Sequence, residues 1–164
     1  MKNNFSQEIF EVVYEKSPWI AEETWSKFEN LNDFQKIKLE LKRTVDNSSE
    51  EKRLSLLKAH PELASKLAIQ GKLTKESNKE QKSAGLNSCS PEQYQQFNEL
   101  NNLYRKKFDF PFIIAVTGLN VEKILTIFIK RLNNDYNSEF NEAIKQVHKI
   151  AEIRINQIIK NRGK

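Results

Sequence analysis

Apolar residues recur at spacings of three and four along most of this chain, which is the pattern of helices that bury one face. A chain of 164 residues with only four Gly and four Pro also lacks the punctuation that a turn-rich all-β fold needs. The clearest apolar stripes are Phe34, Ile37, Leu41 and Val45; Phe97, Leu100, Tyr104 and Phe108; and Phe140, Ala143, Val147, Ile150, Ala151 and Ile158. We therefore predict an all-α fold, with residues 1–164 forming a single compact domain of about eight helices.

Capping residues predict where these helices begin. Ser or Thr followed three residues later by Glu or Gln forms a capping box, and Ser-Pro places a cap before a residue that fits the first helical turn. Such starts are predicted at Ser17-Pro18, Ser48 with Glu51, Ser77 with Glu80, and Ser90-Pro91 with Gln93.

Helix ends and breaks follow from Pro and Gly. Pro61 ends the helix before it, because the residue that precedes a proline avoids helical geometry. A short helix is predicted from Glu62 to about Ile69, and Gly85 is predicted to close the next helix in a left-handed conformation. Residues 110–116 are apolar and broken by a proline, so we predict a buried extended segment there.

Charge and composition narrow the possible functions. The net charge of +5 comes from Lys spread along the chain, with no basic stripe interleaved with aromatics, so no nucleic-acid partner is predicted. Two His and one Cys cannot make an ordinary zinc site, and no nucleotide-binding loop occurs, so we predict no metal and no cofactor. The sequence has no apolar run of about 20 residues and no secretion signal. These features and the lone Cys predict a cytoplasmic protein without a membrane partner.

Arg154 lies where a purely structural helix would carry an apolar residue. It follows Ile150 by four positions and precedes Ile158 by four, so it continues the inner stripe of the last helix. The planar guanidinium is suited to a two-pronged contact with a carboxylate. An arginine that enters a core needs an anion, which is either a carboxylate of the protein or a ligand.

Two further polar residues are candidates for chemistry. His60 follows Leu56 by four positions and Leu57 by three, so it lies on the inner face of its helix, and imidazole transfers protons near neutral pH. Its alternative role is that of a satisfied core or capping histidine. Glu80 has a complete structural explanation as a capping residue. His148 is predicted at the surface, and Cys89 is predicted to take no part in chemistry.

Several segments occur in an order that resembles one known family. They are Tyr14-Glu15-x-Ser17-Pro18-Trp19-Ile20-Ala21; His60-Pro61-Glu62-Leu63-Ala64; Leu73-Thr74-x-Glu76-Ser77-x-x-Glu80-Gln81-x-x-Ala84-Gly85-Leu86; Leu100-Asn101-x-x-Tyr104-Arg105-x-x-Phe108-x-Phe110-Pro111-Phe112; and Gln146-Val147-x-x-Ile150-Ala151-x-x-Arg154. The segments resemble those of the decarboxylases of 2-oxo-4-hydroxy-4-carboxy-5-ureidoimidazoline (OHCU), which yield (S)-allantoin in urate degradation. The similarity extends from about residue 5 to residue 159.

The resemblance implies an all-helical, cofactor-free and usually dimeric enzyme, with OHCU, a small anion, as substrate. It places the catalytic residues at His60, Glu80 and Arg154. It places the substrate-binding residues at Pro61, Ser77, Gln81, Phe112, Ile113, Ile114 and Ala115.

Two functions of other classes remain open from the sequence. The chain could be a helical interaction module whose polar residues are caps, or a weak nucleic-acid binder whose affinity falls steeply with salt. Neither explains an arginine on the inner face of the last helix, and neither predicts turnover of OHCU.

Overall fold

The structure, a computed structural model, describes residues 5–65 and 70–162, which form eight α-helices and no β-strand. The helices are α1 (Gln7–Phe10), α2 (Trp19–Ser26), α3 (Phe34–Asp46), α4 (Glu50–Lys58), α5 (Lys75–Ser83), α6 (Pro91–Phe108), α7 (Val121–Leu132) and α8 (Tyr136–Arg162), with a 3₁₀ turn at Leu86–Ser88. The predicted all-α class is confirmed. None of the helices in the described ranges is long and apolar enough to cross a membrane.

The chain divides into two compact units. The first comprises residues up to Ala59 and from Val147 onward, and the second comprises His60–Gln146. The single domain predicted from the sequence stays a prediction.

The first unit contains α1 to α4 and the C-terminal part of α8. Asp33 caps α3 as its position suggests, because its carboxylate accepts the backbone N–H of Lys36 at 2.8 Å. The hydroxyls of Thr24 on α2 and Thr44 on α3 are buried and lie 2.7 Å apart. The buried apolar residues that close this unit include Phe10, Ile20, Ile37, Leu41, Val45, Leu56, Leu57, Val147, Ala151 and Ile155.

The second unit is built around aromatic rings. Phe112 stacks on Phe128 with ring centroids 3.8 Å apart, and Tyr104 packs edge-on against both rings. Phe108 and Phe110 extend the cluster along α6 and the segment that follows. Aromatic pairs in these geometries add to the stabilisation from buried area. The expected buried extended segment is confirmed, since residues 111–116 form neither helix nor strand and most of their side chains are buried.

Several helix starts differ from the predicted ones. Ser49, not Ser48, caps α4, because the Ser48 hydroxyl instead donates to the carbonyl of Val45 at the end of α3. Thr74 caps α5 and accepts the N–H of Ser77, which places Ser77 inside the helix rather than at its cap. At α2 the cap position is Pro18, and the Ser17 hydroxyl donates to the carbonyl of Glu15.

Other boundaries agree with the sequence. Ser90 and Gln93 form the predicted capping box of α6, and Gly85 has the predicted positive φ of 80° after α5. The helix expected from Glu62 to Ile69 is absent over residues 62–65, which form a turn, and its remainder lies outside the described residues.

Candidate active site

His60 stands at the start of the second unit. Helix α4 ends at Lys58, and His60 follows its C-cap, Ala59, with 8% of its surface exposed. The inner position that its spacing predicts is therefore confirmed. Since the chain has two histidines and the other is His148, this is the imidazole of the second unit.

The turn after His60 and Pro61 is held by amide side chains. The Gln81 carboxamide accepts the N–H of Ala64 at 3.2 Å and donates to the carbonyl of Glu62 at 3.4 Å. Asn101 donates to the carbonyl of Leu63 at 3.0 Å. This support matters because Ala64 has φ of 49°, a conformation that costs energy for any residue other than glycine. The contacts fix the backbone directly after the histidine.

Helix α5 carries three of the predicted site residues. Ser77 and Gln81 lie one turn apart on the same face and are both buried, whereas Glu80 is half-buried. Gln81 also contributes to a cleft of about 280 Å³, whose other lining residues are Leu73, Asn78, Lys82, Leu86, Asn87 and Tyr94. The cleft lies along one flank of α5.

The predicted binding segment Phe112–Ala115 is held by its backbone. Arg131 on α7 donates to the carbonyl of Ile113 at 2.6 Å, and the N–H of Ala115 donates to the side-chain oxygen of Gln146 on α8 at 3.0 Å. Neither Arg131 nor Gln146 was among the site residues predicted from the sequence.

A buried network fixes Arg131 in turn. The Glu139 carboxylate, fully buried, accepts from Arg131 Nε at 2.8 Å, from the Tyr104 hydroxyl at 2.5 Å and from Asn134 Nδ2 at 3.0 Å. Burial and the neighbouring Glu139 carboxylate hold the pKa of Tyr104 far above its usual value, so its hydroxyl remains a donor. Arg131 could have been found from the sequence, because it follows Phe128 by three residues on the inner face of α7.

Arg154 belongs to the first unit and is 8% exposed, as its place in the stripe predicts. Its Nη2 donates to a carboxylate oxygen of Glu15 at 2.9 Å, and its Nη1 donates to the carbonyl of Val12 at 3.2 Å. Glu15 itself is only 1% exposed. The anion that a buried arginine requires is thus supplied, within this unit, by a carboxylate of the protein.

The prediction that His148 lies at the surface is wrong. Its Nδ1 lies 2.9 Å from the Tyr14 hydroxyl, its Nε2 lies 2.9 Å from Asp46, and its side chain is 13% exposed. Because the Asp46 carboxylate only accepts, Nε2 carries a proton, and burial favours the neutral ring, whose Nδ1 then accepts from the Tyr14 hydroxyl. The burial of His148 was hard to predict from the sequence, since His148 lies beside the apolar stripe of α8 and its partners are over 100 residues away.

The pKa values of this trio follow from burial and charge. Burial lowers the pKa of His148, and the hydrogen bond to Asp46 only partly opposes this. Burial raises the pKa of Asp46, but His148 and Lys42 outweigh that effect and bring it below its usual value. Burial, with help from the Asp46 charge, raises the pKa of Tyr14 well above its normal range.

Cys89, the histidines and the carboxylates are the side chains that could bind a metal ion. Over the described ranges, 5–65 and 70–162, His, Cys, Asp and Glu form no group of three or more that could hold a metal ion. Cys89 donates weakly to the carbonyl of Leu86 at 3.5 Å, and burial raises the pKa of its thiol.

The described residues define a small all-helical protein, with a buried histidine in one unit and a buried arginine in the other. The sequence model of the OHCU decarboxylase family matches residues 1–156. The chain belongs to the OHCU decarboxylase family.

Known proteins agree with this assignment. A protein of Halalkalicoccus jeotgali described as 2-oxo-4-hydroxy-4-carboxy-5-ureidoimidazoline decarboxylase is 39% identical over 148 residues, covering 89% of this chain and 80% of that protein. A crystal structure of (S)-allantoin synthase is 28% identical with a TM-score of 0.68 and covers 92% of this chain, which spans 48% of that structure. An OHCU decarboxylase crystallised in the presence of (S)-allantoin shares the fold, with a TM-score of 0.75 at 24% identity, covering 95% of this chain and 99% of that one.

Proposed function

We propose that this chain is a carboxy-lyase that converts OHCU to (S)-allantoin in urate degradation. The observation that carries the proposal is the family match over residues 1–156, which includes every residue of the candidate site. Relatives described as OHCU decarboxylases at up to 39% identity support the same activity.

The chemistry suits a site made of side chains. OHCU carries a carboxylate and a hydroxyl on one ring carbon, and the electron density left after loss of CO₂ can be delocalised into the heterocycle. The reaction therefore needs no metal or organic electron sink. The protein has to hold the ring, turn the carboxylate out of the ring plane and deliver a proton to one face.

Our assignment of roles starts from His60. It hydrogen-bonds the hydroxyl or carboxylate of the substrate and mediates proton transfer, for which its fixed backbone and burial are suited. Glu80 orients ring or ureido N–H groups from the half-buried side of α5. Arg154 holds a ring oxygen and stabilises developing charge, with Glu15 fixing the plane of its guanidinium.

The substrate-binding role extends to Pro61, Ser77 and the segment Phe112–Ala115. Gln81 has two roles in this proposal. It binds the substrate, and it also holds the turn after His60, because its carboxamide bonds to the backbone at Glu62 and Ala64. A carboxamide has two N–H groups and two oxygen lone pairs, so one of each remains for a ligand.

A chiral assay tests the proposal. Freshly generated OHCU is mixed with the purified protein, and the decay of OHCU and the optical activity of the allantoin are followed together. We expect faster decay and an excess of the (S) enantiomer. Racemic allantoin formed at the spontaneous rate would refute the proposal.

Homodimer formation and a cytoplasmic location are further proposals. The first is supported by the family resemblance and the second by the single cysteine. Light scattering coupled to size-exclusion chromatography tests the dimer, and fractionation of expressing cells tests the location.

A further inference from the structure

Ile113 and Ile114 are buried and Ala115 is half-buried, but the segment Ile113–Ala115 has no secondary structure to fix its backbone. Two side chains supply the backbone hydrogen bonds that a helix or sheet would otherwise provide. Arg131 binds the carbonyl at one end, and Gln146 binds the N–H at the other. All peptide bonds of the described residues are trans, so each contact fixes the plane of a whole peptide unit.

Both side chains are themselves oriented. The guanidinium of Arg131 is bonded to Glu139 and lies over the Phe112 ring, 4.5 Å from its centroid. The Gln146 Nε2 donates to the Glu142 carboxylate at 2.8 Å, one turn earlier on α8. Because a carboxylate only accepts and an N–H only donates, Glu142 and Ala115 together fix which way the Gln146 amide faces.

The consequence falls on Ile114. In a trans peptide the N–H points opposite to the carbonyl of the same unit. The Ile114 N–H therefore points away from Arg131, and the Ile114 carbonyl points away from Gln146. These groups are a donor and an acceptor whose directions are set before any ligand arrives.

We propose that Arg131 and Gln146 are positioning residues that aim the peptide groups of Ile114 at the substrate ring. This inference rests on the proposed function. Cyclic ureides present alternating N–H and carbonyl groups, which a donor and an acceptor on one residue can match. Arg131 and Gln146 do not touch the reacting atoms and act through the backbone.

The test uses substitutions at Gln146. Gln146→Met keeps the length and removes the acceptor. Gln146→Glu keeps an acceptor for the Ala115 N–H but places a second carboxylate next to that of Glu142. Adding Glu142→Gln to this variant provides an N–H that can donate to the new carboxylate. Gln157→Met is the matched control, because Gln157 makes the same type of contact one turn along α8, to Asn161, at an exposed position. For each variant we would measure kcat, KM, melting temperature and the enantiomeric excess of allantoin.

For Gln146→Met we expect kcat/KM to fall by ~10-fold, the order of one lost hydrogen bond with looser positioning. The enantiomeric excess should fall as well, because a loosely held ring exposes both faces to protonation. The paired exchange should recover both quantities relative to Gln146→Glu alone, and Gln157→Met should match the parent protein. Should Gln146→Met fail to fold, the comparison of Gln146→Glu with and without Glu142→Gln decides the same question.

Wild-type kcat/KM and enantiomeric excess in Gln146→Met would overturn the positioning role. A loss that tracks melting temperature, leaves the enantiomeric excess unchanged and is not recovered by the exchange would assign Gln146 to structure alone and also overturn it. Inactivity of the parent protein would overturn the proposed function, and this inference with it.

Discussion

Glu15 and Arg154 form a buried ion pair, so a substitution at Arg154 affects stability as well as activity. Both side chains are at least nine-tenths buried, and the pair joins the segment after α1 to α8 within the first unit. Two such charges compensate each other, but either one alone is costly to bury. Loss of activity after removal of Arg154 would therefore have two causes, the missing substrate contact and the lower stability that follows from loss of the ion pair with Glu15.

Arg154→Met is expected to lower the free energy of unfolding by ~3–5 kcal/mol, because it removes the cation paired with the buried Glu15 carboxylate. Urea unfolding measures this. Arg43→Met serves as the control, since Arg43 makes an exposed pair with Glu40 and should lose ~1 kcal/mol or less. An Arg154→Met variant as stable as the parent would contradict the pairing.

The double variant Glu15→Leu, Arg154→Met separates stability from catalysis. Replacing both charges by apolar groups should recover most of the stability lost in the single variant. If Arg154 also contacts the substrate, turnover should stay low in the stable double variant. Recovery of turnover together with stability would reduce Arg154 to a structural residue.

His60→Ala is expected to lower kcat by at least ~10²-fold, the lower range for positioned proton transfer. Circular dichroism would confirm that the variant is folded. His148→Gln is the matched histidine control, and we expect it to reduce stability while kcat stays near that of the parent at temperatures where it is folded. Equal effects on kcat would make the imidazole at position 60 structural.

At the scale of the elements, the trio of Tyr14, His148 and Asp46 joins α3, α8 and the segment after α1. The hydrogen bonds of the trio require the neutral form of the His148 ring, so the stability that they contribute depends on pH. Unfolded histidine takes up a proton near pH 6.5, whereas burial holds the pKa of folded His148 lower. The unfolded state then binds more protons in this range, and stability falls as the pH drops below ~6.5.

We therefore expect His148→Gln to weaken the dependence of stability on pH between 7.5 and 5. Asp46 does not contribute in this window, because its unfolded pKa is near 4 and its folded pKa is lower still. All other titratable side chains are the same in parent and variant, so the comparison isolates position 148. Urea unfolding at a series of pH values measures the effect, and equal slopes for parent and variant would contradict it.

At the scale of the whole molecule, we propose that the reaction depends on side chains and backbone groups alone. We expect full activity after exhaustive treatment with EDTA, because the heterocycle of OHCU can itself accept the electron density left by CO₂. The chiral assay on the treated protein is the measurement. Activity lost to EDTA and restored by zinc or manganese would show that a metal takes part.

The whole chain also shows which helices and boundaries a sequence can predict. The apolar spacing predicted the helices, Ser90 marked a start, and Gly85 marked an end, because all these signals act within one or two turns. Ser48 and Ser77 misled for the same reason. Ser49, one position after Ser48, and Thr74, three positions before Ser77, cap the helices instead, and local rules do not choose between candidates so close in sequence.

The sequence by itself determined that His60 and Arg154 face inward, since a helical period fixes the buried face, but it did not place His148 correctly. Only the tertiary structure decided what they meet there. Glu15 lies 139 residues before Arg154, and Asp46 lies 102 before His148. Arg131 and Gln146 gain their importance from a backbone segment on another element. Periodicity describes one helix at a time, whereas partners are set by how the helices pack.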